Sequence, residues 1–144
     1  MTSPTPLPDA LLLPALHASH GGHWLREGGL RDEPGRTTAV SKGDAIMAAA
    51  DTPVLMINAP LVASRLGYPD LSGLDLLEAF AFIHPARFCV PTPRGLAEAL
   101  GLPVPENDAD VPAMLQRAGG ALIAACQNPE WFEREGAWSA VQSL

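Results

Sequence analysis

Basic residues are scarce in this sequence. Lysine and arginine total 9 of 144 residues against 16 acidic residues, which gives a net charge of −7. A free-standing nucleic-acid-binding protein usually carries a basic surface, because the release of counterions from phosphates supplies most of its non-specific affinity. If this chain belongs to a nucleic-acid-binding protein or complex, we therefore expect most contacts to the nucleic acid to lie outside it.

Cysteine and long hydrophobic runs are also scarce. Cys89 and Cys126 lie far apart and outside any CxxC motif, which predicts reduced, packed thiols in a cytoplasmic protein. The apolar run at residues 10–13 is too short for a signal peptide or a membrane span, and no basic segment precedes it. The sequence thus predicts a cytoplasmic protein without a membrane partner.

Two common catalytic motifs are missing. The sequence contains no GxxxxGK[ST] phosphate loop, so we expect no ATP hydrolysis by this chain alone. It contains no GxSxG motif either, and nothing in it supports nucleophilic catalysis by serine.

Proline is abundant, and the apolar content is that of a folded protein. The 15 prolines predict short, sharply bounded elements, and 47% hydrophobic residues argue against disorder. We expect a flexible tail over residues 1–13 and a single α/β domain over residues 14–144. Its small mixed sheet should combine short strands near residues 14–19, 23–26, 37–41 and 54–57.

Capping residues predict that the second half of the chain is mainly helical. The expected helices cover residues 42–51 after Ser41, 59–66 before Gly67, 74–83 with Ser72 and Asp75 as a capping box at its start, 94–100 after Thr92-Pro93, 111–127 after Asp110, and 130–144. The last of these has no stop signal, which favours a domain taken from a longer polypeptide.

Acidic residues of the helical half offer one candidate for catalysis. Asp75, Asp108 and Asp110 would serve a divergent metal nuclease if they converged on metal ions. The simpler interpretation is that Asp75 carries a helix-start charge and that Asp110 is a helix cap.

Three histidines offer a candidate metal site. His17, His20 and His23 lie within seven residues and could supply nitrogen ligands to zinc. Within one continuous strand His17 and His23 would share a face that His20 does not, and Gly21-Gly22 excludes a helix. The simpler interpretation is turn and edge histidines.

Aromatic residues mark two candidate contact surfaces. Arg87, Phe88 and Arg94 form the only mixed basic–aromatic segment, which could contact a nucleic acid. The alternative is a loop with Phe88 packed inward and the arginines in solvent. Trp131, Phe132 and Trp138 favour a core or a protein–protein interface.

Several short motifs resemble known proteins. Asn58-Ala59-Pro60 after a strand, the helix led by Asp75, LAEALGL at residues 96–102 and Asp110 before a helix resemble the later part of a DnaQ-like 3′–5′ exonuclease domain. More narrowly, HASHGG, LGYPDLSGLDLLEAFAFIHPARF and FEREGAW are similar to the N-terminal region of alphaproteobacterial DinG-type ATP-dependent DNA helicases.

The departures from the exonuclease pattern concern its catalytic residues. The family's Asp-x-Glu on the first strand has no acidic counterpart in residues 16–20, its second aspartate falls near Val62, and its histidine falls near Pro105. Only Asp110 matches a catalytic position.

The resemblance implies an RNase H-like scaffold without a nuclease site, acting as a non-catalytic accessory domain that positions a helicase motor or its DNA. It also implies that ATP and Mg²⁺ are handled by motor domains of the same polypeptide, with no cofactor in this chain. A divergent exonuclease and a protein–protein interaction module remain the alternatives.

Overall fold

A mixed β-sheet lies at the centre of the molecule in the computed structural model, which describes residues 13–27 and 36–126. The described residues form five strands: β1 (Ala15–Ser19), β2 (Gly22–Glu27), β3 (Arg36–Ala39), β4 (Leu55–Met56) and β5 (Leu74–Asp75). Their order across the sheet is β3-β2-β1-β4-β5. β1, β2 and β3 pair antiparallel, whereas β4 and β5 run parallel to β1. The expected α/β class with a mixed sheet is confirmed.

The described residues also form five α-helices: α1 (Lys42–Asp51), α2 (Ala59–Leu66), α3 (Leu76–Ile83), α4 (Pro93–Leu100) and α5 (Val111–Cys126). Ser41 caps α1 and Thr92 caps α4, each accepting a hydrogen bond from the amide three residues later. Gly67 and Gly101 end α2 and α4 with φ of 67° and 70°, a left-handed conformation that suits glycine. Within residues 13–27 and 36–126, no helix has the length and apolarity to cross a membrane.

Helices cover both faces of the sheet. Side chains alternate along β1, so that Leu16 and Ala18 face α1 and α2, whereas Ala15 and His17 face α5. Each face has its own apolar cluster. The first contains Leu16, Ala18, Leu25, Ala45, Ala49, Val54, Met56, Val62 and Leu66. The second joins Ala15, Leu55 and Ile57 to buried residues of α3, α4 and α5. The sheet is therefore the middle of three layers.

The Asp75 carboxylate organises the start of two helices. It caps α3 by accepting from the Leu77 amide at 3.0 Å, and it accepts from the Asn58 and Ala59 amides at 3.0 and 2.8 Å. Asn58 caps α2 in a left-handed conformation with φ of 61°, which asparagine tolerates better than most residues. Asp75 therefore fixes the junction between β4 and α2 as well as the start of α3.

The expected helix over residues 74–83 began two residues too early. Leu74–Asp75 forms a strand parallel to β4, so α3 begins at Leu76 and Asp75 caps it instead of Ser72. Gly73 permits this pairing, because a Cβ there would lie 2.6 Å from the carbonyl oxygen of Val54.

The start of α5 at Val111 agrees with the expectation. Asp110, the expected cap, directly precedes it as the last residue of a 3-10 turn, Asp108–Asp110, that leads into α5. The helix then continues through Gly119-Gly120 without interruption.

Gln116 ties α5 to the beginning of the sheet. Its side chain is fully buried, accepts from Arg26 Nε at 2.8 Å and donates from Nε2 to the Leu13 carbonyl at 3.2 Å. These bonds join α5 to β2 and to the residue that precedes β1 by two positions, so they position the turn in front of α5 over the sheet.

Candidate functional site

Four polar side chains meet at the carboxyl end of β1. His17 and Ser19 alternate in the strand and share the face covered by α5. Asp108 reaches them from the 3-10 turn, with its Oδ1 3.2 Å from His17 Nε2. Arg65 arrives from the last turn of α2. These four residues are called the β1-end cluster below.

Burial and charge act in opposite directions on His17. Burial lowers its pKa below the ordinary value because the imidazolium would lose hydration. The hydrogen bond and negative charge of Asp108 oppose this shift, whereas Arg65 adds to it. The neutral ring donates from Nε2, since an ionised carboxylate only accepts. Its Nδ1 atom is buried without a hydrogen-bond partner among the described residues.

Asp108 is held in its charged form. Burial alone would raise the pKa of this carboxyl, but hydrogen bonds from Ser19 and His17 and the positive charge of Arg65 outweigh that effect. The pKa of Asp108 therefore lies below its ordinary value. The cluster contains a neutral imidazole beside a stabilised carboxylate.

Arg65 binds the backbone near the carboxyl end of β1. Its Nη1 donates to the Ala18 carbonyl at 2.6 Å, across 47 residues of sequence. Its Nε is buried and has no hydrogen-bond partner in the described part of the chain. The guanidinium consequently places a fixed positive charge at the carboxyl end of β1.

The connectivity of the cluster does not fit nucleophilic catalysis. In a serine hydrolase the imidazole lies between the serine and the acid, so that it can remove the hydroxyl proton. Here both His17 and Ser19 interact with Asp108. The serine is linked to the acid, which leaves its oxygen without a general base in this arrangement.

The candidate metal-binding acids are not brought together. Asp75 is held by three backbone amides, and Asp110 lines a separate shallow depression with Glu106 and Arg117. Only Asp108 reaches the end of β1. Over residues 13–27 and 36–126, no group of three or more His, Cys, Asp or Glu side chains is arranged to hold a metal ion.

The three histidines also separate. The chain reverses between β1 and β2, and the register pairs His17 with Trp24 and Ala18 with His23. His17 and His23 therefore lie on opposite faces of the sheet, and His20 is exposed in the turn. The parity expected for one continuous strand does not apply, because the turn interrupts that strand.

The basic–aromatic segment does not have the inward-packed phenylalanine of the alternative interpretation, and its contact with a nucleic acid stays a prediction. Phe88 is 84% exposed instead of packed inward. Arg87 donates to the Ala99 carbonyl and lies 5.5 Å from the centroid of the Phe80 ring. Arg94 pairs with Glu98 at 3.0 Å along exposed α4. The phenylalanine is thus available to a partner, whereas both arginines already have protein partners.

Two other expectations lie outside the described residues. These are the last helix, with Trp131, Phe132 and Trp138, and the FEREGAW motif.

Sequence reasoning missed the pairing of His17 with Asp108 and the contribution of Arg65. The first two lie 91 residues apart, and neither sits in a recognisable motif. One signal was present: His17 and Ser19 have the spacing of the Asp-x-Glu pair in the exonuclease pattern that the sequence resembles. The acid that contacts them is Asp108, whereas the motifs pointed to Asp110.

Comparison of the chain with protein-family models, with curated proteins and with solved structures found no match in any of the three. No relative therefore assigns a role to the β1-end cluster.

Proposed function

We propose that this chain is a non-catalytic accessory domain of a DinG-type ATP-dependent DNA helicase, built on an RNase H-like exonuclease scaffold. The short motifs that resemble those helicases motivate the proposal. Its two parts, the scaffold and the loss of chemistry, have separate support.

The sheet supports the RNase H-like scaffold. An RNase H-like sheet has three antiparallel strands followed by two strands parallel to the first, in the order 3-2-1-4-5. The strands β1 to β5 have this order and these directions. A three-layer arrangement with α5 against β1 is also consistent with it.

The observation that carries the proposal is the composition of the β1-end cluster. The exonuclease pattern needs two acids on the first strand, and this chain has His17 and Ser19 at that spacing. The second aspartate of the exonuclease pattern falls near Val62, which is 2% exposed and packs in the apolar cluster with α1 and α2. Among the residues that the structure describes, Asp108 is the one acid that reaches the site, and one carboxylate does not hold two catalytic metal ions.

The motor chemistry is assigned to other parts of the helicase. This sequence has no phosphate loop, so ATP and Mg²⁺ would bind to the motor domains of the same polypeptide. The accessory domain would position the motor or its DNA. The exposed Phe88 is one surface through which it could contact either of them.

A nuclease assay tests the loss of chemistry. The purified chain is incubated with 5′-labelled single-stranded DNA in the presence of Mg²⁺ or Mn²⁺, and the products are separated on a gel. We expect the same background for the natural chain and for Asp108→Asn, which removes the charge of the one acid in the cluster. Degradation that disappears in Asp108→Asn would overturn the proposal and support a divergent nuclease.

The helicase context has its own test. We expect the chain to associate in solution with a DinG-type motor fragment supplied in trans, as measured by sedimentation velocity. Phe88→Ser is measured in parallel to test whether Phe88 contributes to this association, because the substitution removes an exposed aromatic side chain without touching the core. Absence of association at concentrations well above micromolar would contradict the helicase context while leaving the scaffold unaffected.

A further inference from the structure

A pocket next to the β1-end cluster is lined by polar and basic groups. Its lining contains the basic side chains His20, His23, Lys42 and Arg65, the hydroxyls of Ser19 and Ser64, and the glycines of the β1–β2 turn. It includes no carboxylate and no apolar side chain. Such a lining is unusual in a chain whose net charge is −7.

Three elements converge to build this pocket. The β1–β2 turn supplies His20 and the glycines, and the last turn of α2 supplies Ser64 and Arg65. The third element is α1, whose first residue is Lys42. Because a helix N-terminus carries a partial positive charge, α1 adds to the positive potential at this point.

Arg65 is already oriented for a ligand at this place. Its Nη1 is fixed by the Ala18 carbonyl, so the side chain loses little further freedom when it binds. Its Nε has no partner among the described residues although it is buried. A buried guanidinium donor normally has an acceptor. Arg65 also lines the pocket, where the other N–H groups of its guanidinium can donate to an anion.

Two carboxylates lie in the neighbourhood without lining the pocket. Asp108 already accepts hydrogen bonds from His17 and Ser19. Asp44 is exposed in the first turn of α1, two residues after Lys42. Neither carboxylate is a lining residue, so the lining side chains are basic groups and hydroxyls, with glycine backbone between them.

We infer that this pocket binds a phosphate group. Guanidinium, ammonium, hydroxyl and backbone amide donors are the groups that proteins use to bind phosphate oxygens. The inference goes beyond the proposed function and does not rest on it, since it needs only the pocket. A free phosphate ion and the phosphate of a nucleotide strand share this chemistry.

The first experiment uses inorganic phosphate as the probe. Amide resonances of the ¹⁵N-labelled chain are followed while sodium phosphate is added, against sodium chloride at equal ionic strength. We expect saturable shifts at Gly21 and Gly22 with a dissociation constant on the order of 1 mM. Shifts no larger than those in sodium chloride would overturn the inference.

Charge-removing variants locate the binding. Lys42 is exposed at the start of α1, so Lys42→Gln should fold normally and weaken phosphate binding about tenfold. Arg94→Gln removes an exposed charge from α4, away from the pocket, and should leave binding unchanged. Arg65→Gln should remove binding, with circular dichroism to check its fold. Equal binding by Lys42→Gln and the natural chain would place phosphate elsewhere and overturn the inference.

Short thymidine oligonucleotides distinguish the two sources of phosphate. Tighter binding than inorganic phosphate, with or without a 5′-phosphate, identifies the backbone of a strand. Tighter binding only with the 5′-phosphate identifies a strand end. Binding of inorganic phosphate alone identifies the free ion. Each of these results supports the pocket only if Lys42→Gln binds the same probe more weakly than the natural chain does. None of them depends on the nuclease assay.

Discussion

His17 occupies a position where a neutral side chain is favoured over a charged one. Burial lowers its pKa below the ordinary value of 6.5. The unfolded chain therefore takes up a proton at a higher pH than the folded chain does. The contribution of His17 to stability is fully present above about pH 6.5 and is lost as the pH falls from there towards the lower folded pKa.

This sign gives a prediction for the pH dependence of unfolding. Between about pH 7.5 and about pH 5, the free energy of unfolding should fall more steeply for the natural chain than for His17→Leu, which cannot take up the proton. Urea unfolding at several pH values measures both slopes. His20→Leu is the matched surface control, because His20 is exposed in the turn. Parallel curves for the natural chain and His17→Leu would contradict this account.

At the scale of single elements, α4 depends on a glycine for its packing. A Cβ on Gly95 would lie 2.2 Å from the carbonyl oxygen of Val90, which belongs to the segment that leads into the helix. Gly95→Ala should therefore lower the free energy of unfolding by about 1–3 kcal/mol, because backbone has to move. Urea denaturation at constant pH measures the change.

Gly43 in α1 is the control for this prediction. A Cβ there meets nothing within 4 Å, so Gly43→Ala adds helix propensity without a clash. We expect it to leave stability unchanged or to raise it by up to about 1 kcal/mol. A destabilisation of Gly43→Ala as large as that of Gly95→Ala would show that the close approach to Val90 is not the cause.

Helix boundaries could be predicted from the sequence wherever the signal is local. Ser41, Gly67, Thr92 and Gly101 mark ends that depend on hydrogen bonds or backbone conformation within a few residues. The bounds of α1 and α2 agree with the prediction to the residue. This agreement reflects local chemistry and would hold in many folds.

Contacts between distant elements could not be predicted in the same way. Leu74–Asp75 is only two residues long, and it becomes a strand because β4 lies beside it in parallel register. His17 and Asp108 are brought together by the packing of α5 on the sheet, which Gln116 anchors. Neither feature has a local pattern, so the three-dimensional arrangement was needed to find the candidate site.

The whole molecule combines a polar cluster at the end of β1 with a basic pocket beside it, and Ser19 and Arg65 belong to both. In the cluster, hydrogen bonds from His17 and Ser19 and the charge of Arg65 stabilise the Asp108 carboxylate. In the pocket, Lys42 is a second basic side chain beside Arg65. A nuclease scaffold would bind metal cations here and use them to hold phosphate. Our two proposals together describe a site where basic side chains bind phosphate in place of metal ions, without DNA hydrolysis.

The scaffold proposal predicts that metal binding can be introduced. His17→Asp with Ser19→Glu would place two carboxylates on the face of β1 that Asp108 approaches, which gives the oxygen ligands that Mn²⁺ and Mg²⁺ prefer. Without metal, three neighbouring carboxylates should destabilise the variant by mutual repulsion. We expect Mn²⁺ to raise its melting temperature and to bind measurably by calorimetry, whereas the natural chain shows neither effect.

Asp108→Asn in the double variant should abolish the response to Mn²⁺, because it removes the ligand from the 3-10 turn. Acidic substitutions at His20 and His23 form the control, since these residues lie in the turn and on the opposite face of the sheet. A folded double variant with no response to Mn²⁺ would mean that His17, Ser19 and Asp108 do not form the geometry of a nuclease site. The proposal that the β1-end cluster replaces a nuclease site would then lose its support, whereas the strand order behind the scaffold would be unaffected. Phosphate binding in the pocket is tested by its own titration.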